Sequence, residues 1–148
     1  MGYYLKAFIG QKESLTPISN KYSYSKLIDL SDQISMIPLT DELFDEINQM
    51  ENSSEISSYE FLTENVENKT LDLIGNKKLA YVESEFFGGQ GGHIGLIWEY
   101  GQREFMGEYK KDTLNEILKK LGVIRNGNQD EFETVGLDRH RNTKDWTD

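Results

Sequence analysis

The chain has 148 residues with 26 acids, 16 bases and no cysteine; its length suits one domain with its own core, and its net charge of −10 speaks against unaided binding to nucleic acid phosphates. With 36% hydrophobic and 11% aromatic residues it holds too much core-forming material for a disordered chain. The lack of cysteine excludes disulfides, thiolate metal sites and Cys nucleophiles and fits a reducing cytoplasm, and no stretch approaches the roughly 18 apolar residues needed to cross a bilayer.

Residues 3–9 alternate, with Tyr3, Leu5, Ala7 and Ile9 on one side, which predicts a strand closed by Gly10. Residues 11–25 are polar, contain Pro17 and carry no assigned element. Residues 26–30 and 34–39 are short runs parted by Ser31 and Asp32, and read as two short strands or as a strand and an extended loop. Thr40 precedes Asp41 and Glu42, a cap followed by acids suited to the positive first turn, and predicts a helix reaching Met50. Ser57 and Glu60 have the spacing of a capping box and predict the longest helix, running to Gly75 and Asn76. Residues 79–87, 92–100 and 102–109 alternate and are joined by glycine-containing links, as in an antiparallel meander. Asp112 opens a further helix over Leu114, Ile117, Leu118 and Leu121, with Lys119 and Lys120 at its negative end and Gly122 as terminator. Residues 125–148 are polar but include Phe132, Val135, Leu137 and Trp146, which predicts a tail docked on the domain. These signals predict one α+β domain over residues 1–148: a mainly antiparallel sheet with a C-terminal meander, packed by about three helices.

The charge is unevenly placed. Asp29, Asp32, Asp41, Glu42, Asp45, Glu46, Glu51, Glu55, Glu60, Glu64, Glu67 and Asp72 face only Lys69 within residues 29–72, so this stretch carries −11 and the rest of the chain +1. Two amphipathic helices with solvated acidic sides account for this without a partner. Equally, such a surface steers and docks a cationic protein, a nuclease with a phosphate-binding active site for example. On that reading Asp41, Glu42, Asp45, Glu46, Glu60, Glu64 and Glu67 are the contact residues.

Other candidates for chemistry are sparse. The glycine-rich residues 88–95 run from one strand into another, not into a helix, and lack a Gly-Lys-Ser/Thr ending, so they read as a hairpin connection rather than a phosphate cradle. Two histidines, His93 and His140, do not make a metal site by themselves, and no metal or cofactor is expected. Glu83 and Glu85, near Glu99 and Glu104, offer a possible pair of carboxylates for acid–base work. An alternative ligand site, for a small enzyme or small-ligand-binding protein, combines Glu85, Gln90 and His93 of the glycine-rich segment with Arg139 and His140 of the tail. Self-association through the sheet is a third possibility.

Residues 37–44 (Ile-Pro-Leu-Thr-Asp-Glu-Leu-Phe), the Glu-x-Phe-Phe-Gly-Gly-x-Gly run from Glu85, Leu121-Gly-Val123 and the ending Asp-Glu-Phe-Glu-Thr-Val-Gly-Leu-Asp-Arg-His-Arg-Asn-Thr-Lys-Asp-Trp over residues 130–146 together resemble a family of small uncharacterised proteins of Gram-positive bacteria. In size and acidity the chain is also similar to immunity proteins of polymorphic-toxin systems. The resemblance implies a bacterial cytoplasmic protein and, with the acidic stretch, a protein-binding module that neutralises a basic cognate toxin. It assigns no residue a role.

Overall fold

The strands of this chain carry apolar side chains on both sides, so the sheet they form needs cover on both faces. In the computed structural model, which describes residues 2–147, the elements run β1 (Tyr3–Gly10), α1 (Lys12–Lys21), β2 (Ile28–Asp29), β3 (Ser35–Pro38), α2 (Asp41–Asn48), α3 (Glu64–Ile74), β4 (Leu79–Phe87), β5 (Gln90–Glu99), β6 (Gln102–Lys110), α4 (Thr113–Lys120) and α5 (Glu131–Val135). Short 3-10 turns follow at Leu137–Arg139 and Thr143–Trp146. The strands form one six-stranded sheet of order β2-β3-β1-β4-β5-β6, antiparallel at every step. The architecture is therefore the expected α+β, with β4, β5 and β6 as the meander.

One face of the sheet presents Phe8, Ile37, Leu79, Tyr81, Leu96 and Trp98 to Leu15 and Ile18 of α1, Leu43 and Ile47 of α2, and Val66 and Ile74 of α3. The opposite face presents Leu5, Ala7, Ile9, Met36, Ala80, Val82 and Ile97 to Leu114, Ile117 and Leu118 of α4 and to Val135, Leu137 and Trp146 of the tail. Each such large apolar side chain, withdrawn from water, contributes about 1.5–3 kcal/mol before conformational entropy is counted. The sheet is thus the middle of three layers.

Three local outcomes differ from the sequence expectations. Residues 12–21 form α1 although Pro17 lies inside it and most of the segment is polar. Leu15 and Ile18 lie three apart on one helical side and are completely or almost completely buried, and that burial outweighs the backbone hydrogen bond which Pro17 cannot make. The helix expected from Ser57 begins instead at Glu64, capped by the Thr63 side chain, which accepts from the Val66 N–H at 3.2 Å. Residues 54–64 close on themselves, with the Ile56 N–H donating to Leu62 O and the Glu64 N–H to Ser54 O, and Ser58 takes a left-handed conformation at φ 74°. The segment still becomes the longest α-helix described. Helices α1 and α5 also raise the number beyond the three expected.

The glycine-rich segment is the β4–β5 hairpin. Gly88 and Gly89 both have positive φ, 61° and 81°, as a two-residue turn of the primed type requires, and Phe87 then pairs with Gln90. Further along β5, Gly95 permits a close approach: a Cβ there would lie 2.5 Å from Ile117 Cδ1 and 2.8 Å from the Tyr81 carbonyl oxygen. Helix α4 is seated directly on the sheet at this point.

Candidate functional site

Helix α2 begins where Thr40 accepts the Leu43 N–H at 3.2 Å, which sets Asp41 and Glu42 in the first turn. Leu43 and Ile47 face the core, so Asp41, Glu42 and Asp45 are turned to solvent. Glu64, in the first turn of α3, is also exposed, and so is Glu60 in the preceding loop. Glu51, Glu55 and Asp72 are exposed as well. Lys69, the single base within residues 29–72, is tied down: its Nζ donates to the Ile47 carbonyl at 2.9 Å and to Glu51 at 2.8 Å. The free carboxylates of α2, α3 and their connecting loop have no mobile counter-cation within the stretch.

Two of the seven proposed contact residues serve the fold instead. Glu67 is only 7% exposed and accepts from Trp98 Nε1 at 2.8 Å and from two guanidinium nitrogens of Arg103, each at 2.6 Å. Burial pushes its carboxyl group up, but the hydrogen bonds from Arg103 and Trp98 outweigh this and hold it below the usual range. Glu46 accepts the backbone N–H groups of Ser23 and Tyr24, both at 2.8 Å, and pins the segment after α1. Glu67 is therefore removed from the set able to touch a partner, because helical periodicity turns it inward over the sheet. Asp41 remains exposed while lying 3.3 Å from the buried Lys6 Nζ, which also sits over the Phe61 ring.

The β4 carboxylates divide by use. Glu83 is buried and accepts the N–H groups of Glu60, Phe61 and Leu62 at 2.8–3.2 Å together with the Tyr81 hydroxyl at 2.7 Å, so its oxygens are occupied in shaping the loop ahead of α3. Glu85 is exposed and adjoins Glu60. Partial desolvation and the nearby negative charges of Glu85 and Glu83 raise the Glu60 carboxyl above its ordinary value. The cavity between these groups, lined by Tyr4, Lys6, Phe61 and Tyr109 among others, measures about 50 Å³, room for little more than water.

The alternative set of Glu85, Gln90, His93, Arg139 and His140 does not converge. The β4–β5 register pairs Ser84 with His93 and Glu85 with Gly92, so Glu85 and His93 lie on opposite faces of the sheet. Gln90 is exposed at the hairpin tip, Arg139 donates to Ser31 Oγ at 3.3 Å, and His140 stands edge-on to Trp146 with ring centroids 4.6 Å apart. His93 instead lines a cleft of about 310 Å³ with Tyr3, Phe86, Phe132 and Arg141. Arg141 belongs to the charged Asp138-Arg139-His140-Arg141 patch of the tail, in which the sequence offers both arginines for bidentate contacts with carboxylates, but it is not a member of the alternative set; the docking of the tail brings it, rather than Arg139, beside His93.

His93 is 7% exposed and its Nδ1 lies 2.5 Å from Ser84 Oγ. Burial pushes the imidazole down to about 4, against a smaller opposing effect of Asp130, so the ring is neutral at pH 7. Ser84 is 1% exposed, which denies it to a substrate and removes the pair as a nucleophile and base. Among the described residues, no group of three or more His, Asp or Glu side chains is arranged to hold a metal ion, and no helix is long and apolar enough to cross a membrane.

Fold and site together define an α+β protein with an acidic helical layer on one side of its sheet and an aromatic cleft on the other. No family model, curated protein or solved structure matches the chain.

Proposed function

We propose that the protein is a protein-binding module of the immunity type, which neutralises a basic cognate toxin by laying the α2–α3 layer over its active or substrate-binding surface. One observation carries the reading: the exposed carboxylates of Asp41, Glu42, Asp45, Glu60 and Glu64 belong to a stretch of net charge −11 whose only base is held by Ile47 and Glu51. A surface of this kind speeds encounter with a cation-rich partner and repels acidic ones. The rival reading, a single ligand site made from Glu85, Gln90, His93, Arg139 and His140, loses support because those side chains point to different faces and ends of the molecule.

The test is co-expression with the product of the gene immediately upstream, followed by purification of the pair and measurement of association rates. The expected result is a complex whose association slows steeply with salt, and slows by about tenfold or more when Asp41, Glu42, Asp45 and Glu64 are changed together to Lys. The matching reversal of Asp112 and Glu116, near α4, is expected to leave the rate nearly unchanged. Association indifferent to both salt and the α2–α3 reversal would overturn the electrostatic reading.

A further inference from the structure

Opposite the acidic layer, the tail closes against the sheet and leaves the cleft above His93. We propose that this cleft binds a small molecule made of a planar aromatic ring bearing a carboxylate. The site owes nothing to the acidic layer, which lies on the other side of the sheet, and stands or falls independently of toxin binding.

The walls are aromatic and contiguous. Phe86 lies 4.9 Å from the His93 ring, His93 lies 6.0 Å from Phe132, and Phe132 lies 5.3 Å from Tyr3, centroid to centroid. Tyr3, Phe86 and Phe132 are each only half-buried, although large rings elsewhere on the sheet, such as Phe8, Tyr81 and Trp98, are fully covered. A flat guest stacked among them would recover the apolar contact they lack. The volume of about 310 Å³ is at the small end for ligand pockets and suits a guest of one ring and a short polar arm.

The floor supplies direction. Ser84 Oγ has no hydrogen-bond partner among the described residues other than His93 Nδ1. A buried hydroxyl must place its proton, so Ser84 donates and Nδ1 accepts, which assigns the imidazole proton to Nε2. No described group bonds Nε2, so the floor of the cleft offers one N–H donor to an incoming acceptor.

The rim supplies charge. Arg141 and Lys111 both line the cleft, and neither side chain forms an ion pair or hydrogen bond with another described residue. Of the two acids there, Asp130 is engaged, accepting from Asn115 Nδ2 at 3.1 Å and from the Glu133 N–H at 2.9 Å, while Asp138 accepts no hydrogen bond from another described residue. The lining is therefore balanced in formal charge, two cations against two carboxylates, and what it offers an anionic guest is geometric: the Arg141 guanidinium has no partner among the described residues, and its planar fork matches a carboxylate in particular. The Arg141 carbonyl accepts the Tyr4 N–H at 2.7 Å, so the arginine is held to the sheet rather than left on a loose tail.

The experiment follows the ring protons of His93, Phe86 and Phe132 by NMR on the full chain, titrated with 4-hydroxyphenylacetate and, separately, with its neutral amide. The expected result is saturable shifts at all three rings with the acid and affinity about tenfold weaker with the amide. Arg141→Ala, an exposed side chain whose loss leaves the backbone strap in place, is expected to weaken the acid by a similar factor and the amide hardly at all. A second arm uses a tripeptide ending in phenylalanine, which separates a free small molecule from a peptide C-terminus as the source of the same chemistry. Equal binding of acid and amide, or an Arg141→Ala variant that binds the acid unchanged, would overturn the carboxylate assignment. Absence of saturable shifts with every probe up to millimolar concentration would overturn the site.

Discussion

The Glu83 carboxylate accepts three consecutive backbone N–H groups and a tyrosine hydroxyl, and in doing so it sets where α3 can start. Removing it leaves those donors unpaired in a largely buried loop, so Glu83→Ala is expected to cost on the order of 3 kcal/mol, read from urea unfolding. Alternation along β4 shows that Glu83 and Glu85 share a face, but only the position of the 57–62 loop decides that Glu83 is spent and Glu85 free. His93 makes the second residue-scale prediction. Its folded value of about 4 lies below the ordinary 6.5, so from about a unit above 6.5 upward the ring is neutral in both states and contributes no pH dependence. As pH falls from there, the unfolded chain takes up a proton that the native protein refuses, and stability is lost progressively until the native ring itself protonates near pH 4. The loss approaches about 3.5 kcal/mol in total at roughly 1.4 kcal/mol per unit. An imidazole resonance for His93 titrating near 6.5 in the folded protein would contradict this.

At the scale of elements, α4 shows how a glycine in a strand can govern helix packing. Gly95 leaves no room for a Cβ beneath Ile117, so Gly95→Ala is expected to lift α4 from the sheet and cost about 1–3 kcal/mol by overpacking, measurable as a lower Tm. The tail is fastened beside the first half of β1, beyond the point where β3 pairs with that strand. Tyr4 pairs with Asn142 in parallel, and the Lys6 N–H donates to Thr143 Oγ1 at 3.1 Å. Trp146 then packs with Val135 and Leu137 against the sheet. Trp146→Ala is expected to cost about 3 kcal/mol and to speed proteolysis of the tail. Element types came readily from alternation and caps for β1, α2, the meander and α4. The polar α1 and the late start of α3 did not, because each depends on contacts with residues distant in sequence.

At the scale of the molecule, the acidic excess is borne by the layer containing α2 and α3, whereas the layer containing α4 mixes Lys111, Lys119 and Lys120 with Asp112 and Glu116. The resulting field is polarised through the sheet, which is why the association predicted above should respond to charge on one side only. Strand β6 also ends the sheet, with Met106 and Tyr109 exposed along it. Light scattering across a concentration series will report whether this edge pairs with a second copy, and reversal of the α2–α3 acids is expected to leave that result unchanged.

Composition and pattern alone determined that the chain makes an α+β fold, that its excess negative charge lies within residues 29–72 and that a meander precedes the helix over Leu114, Ile117 and Leu118, because these follow from local periodicity and residue counts. Tertiary structure alone decided which acids remain available, turning Glu67 inward onto Arg103 and Trp98 while leaving Glu64 in water. It also separated Glu85 from His93 and brought Arg141 beside His93 in place of Arg139 and His140. The physical reason is the same in each case: a side chain's chemistry is set by what the fold places next to it, and those neighbours come from across the sheet or from the other end of the chain.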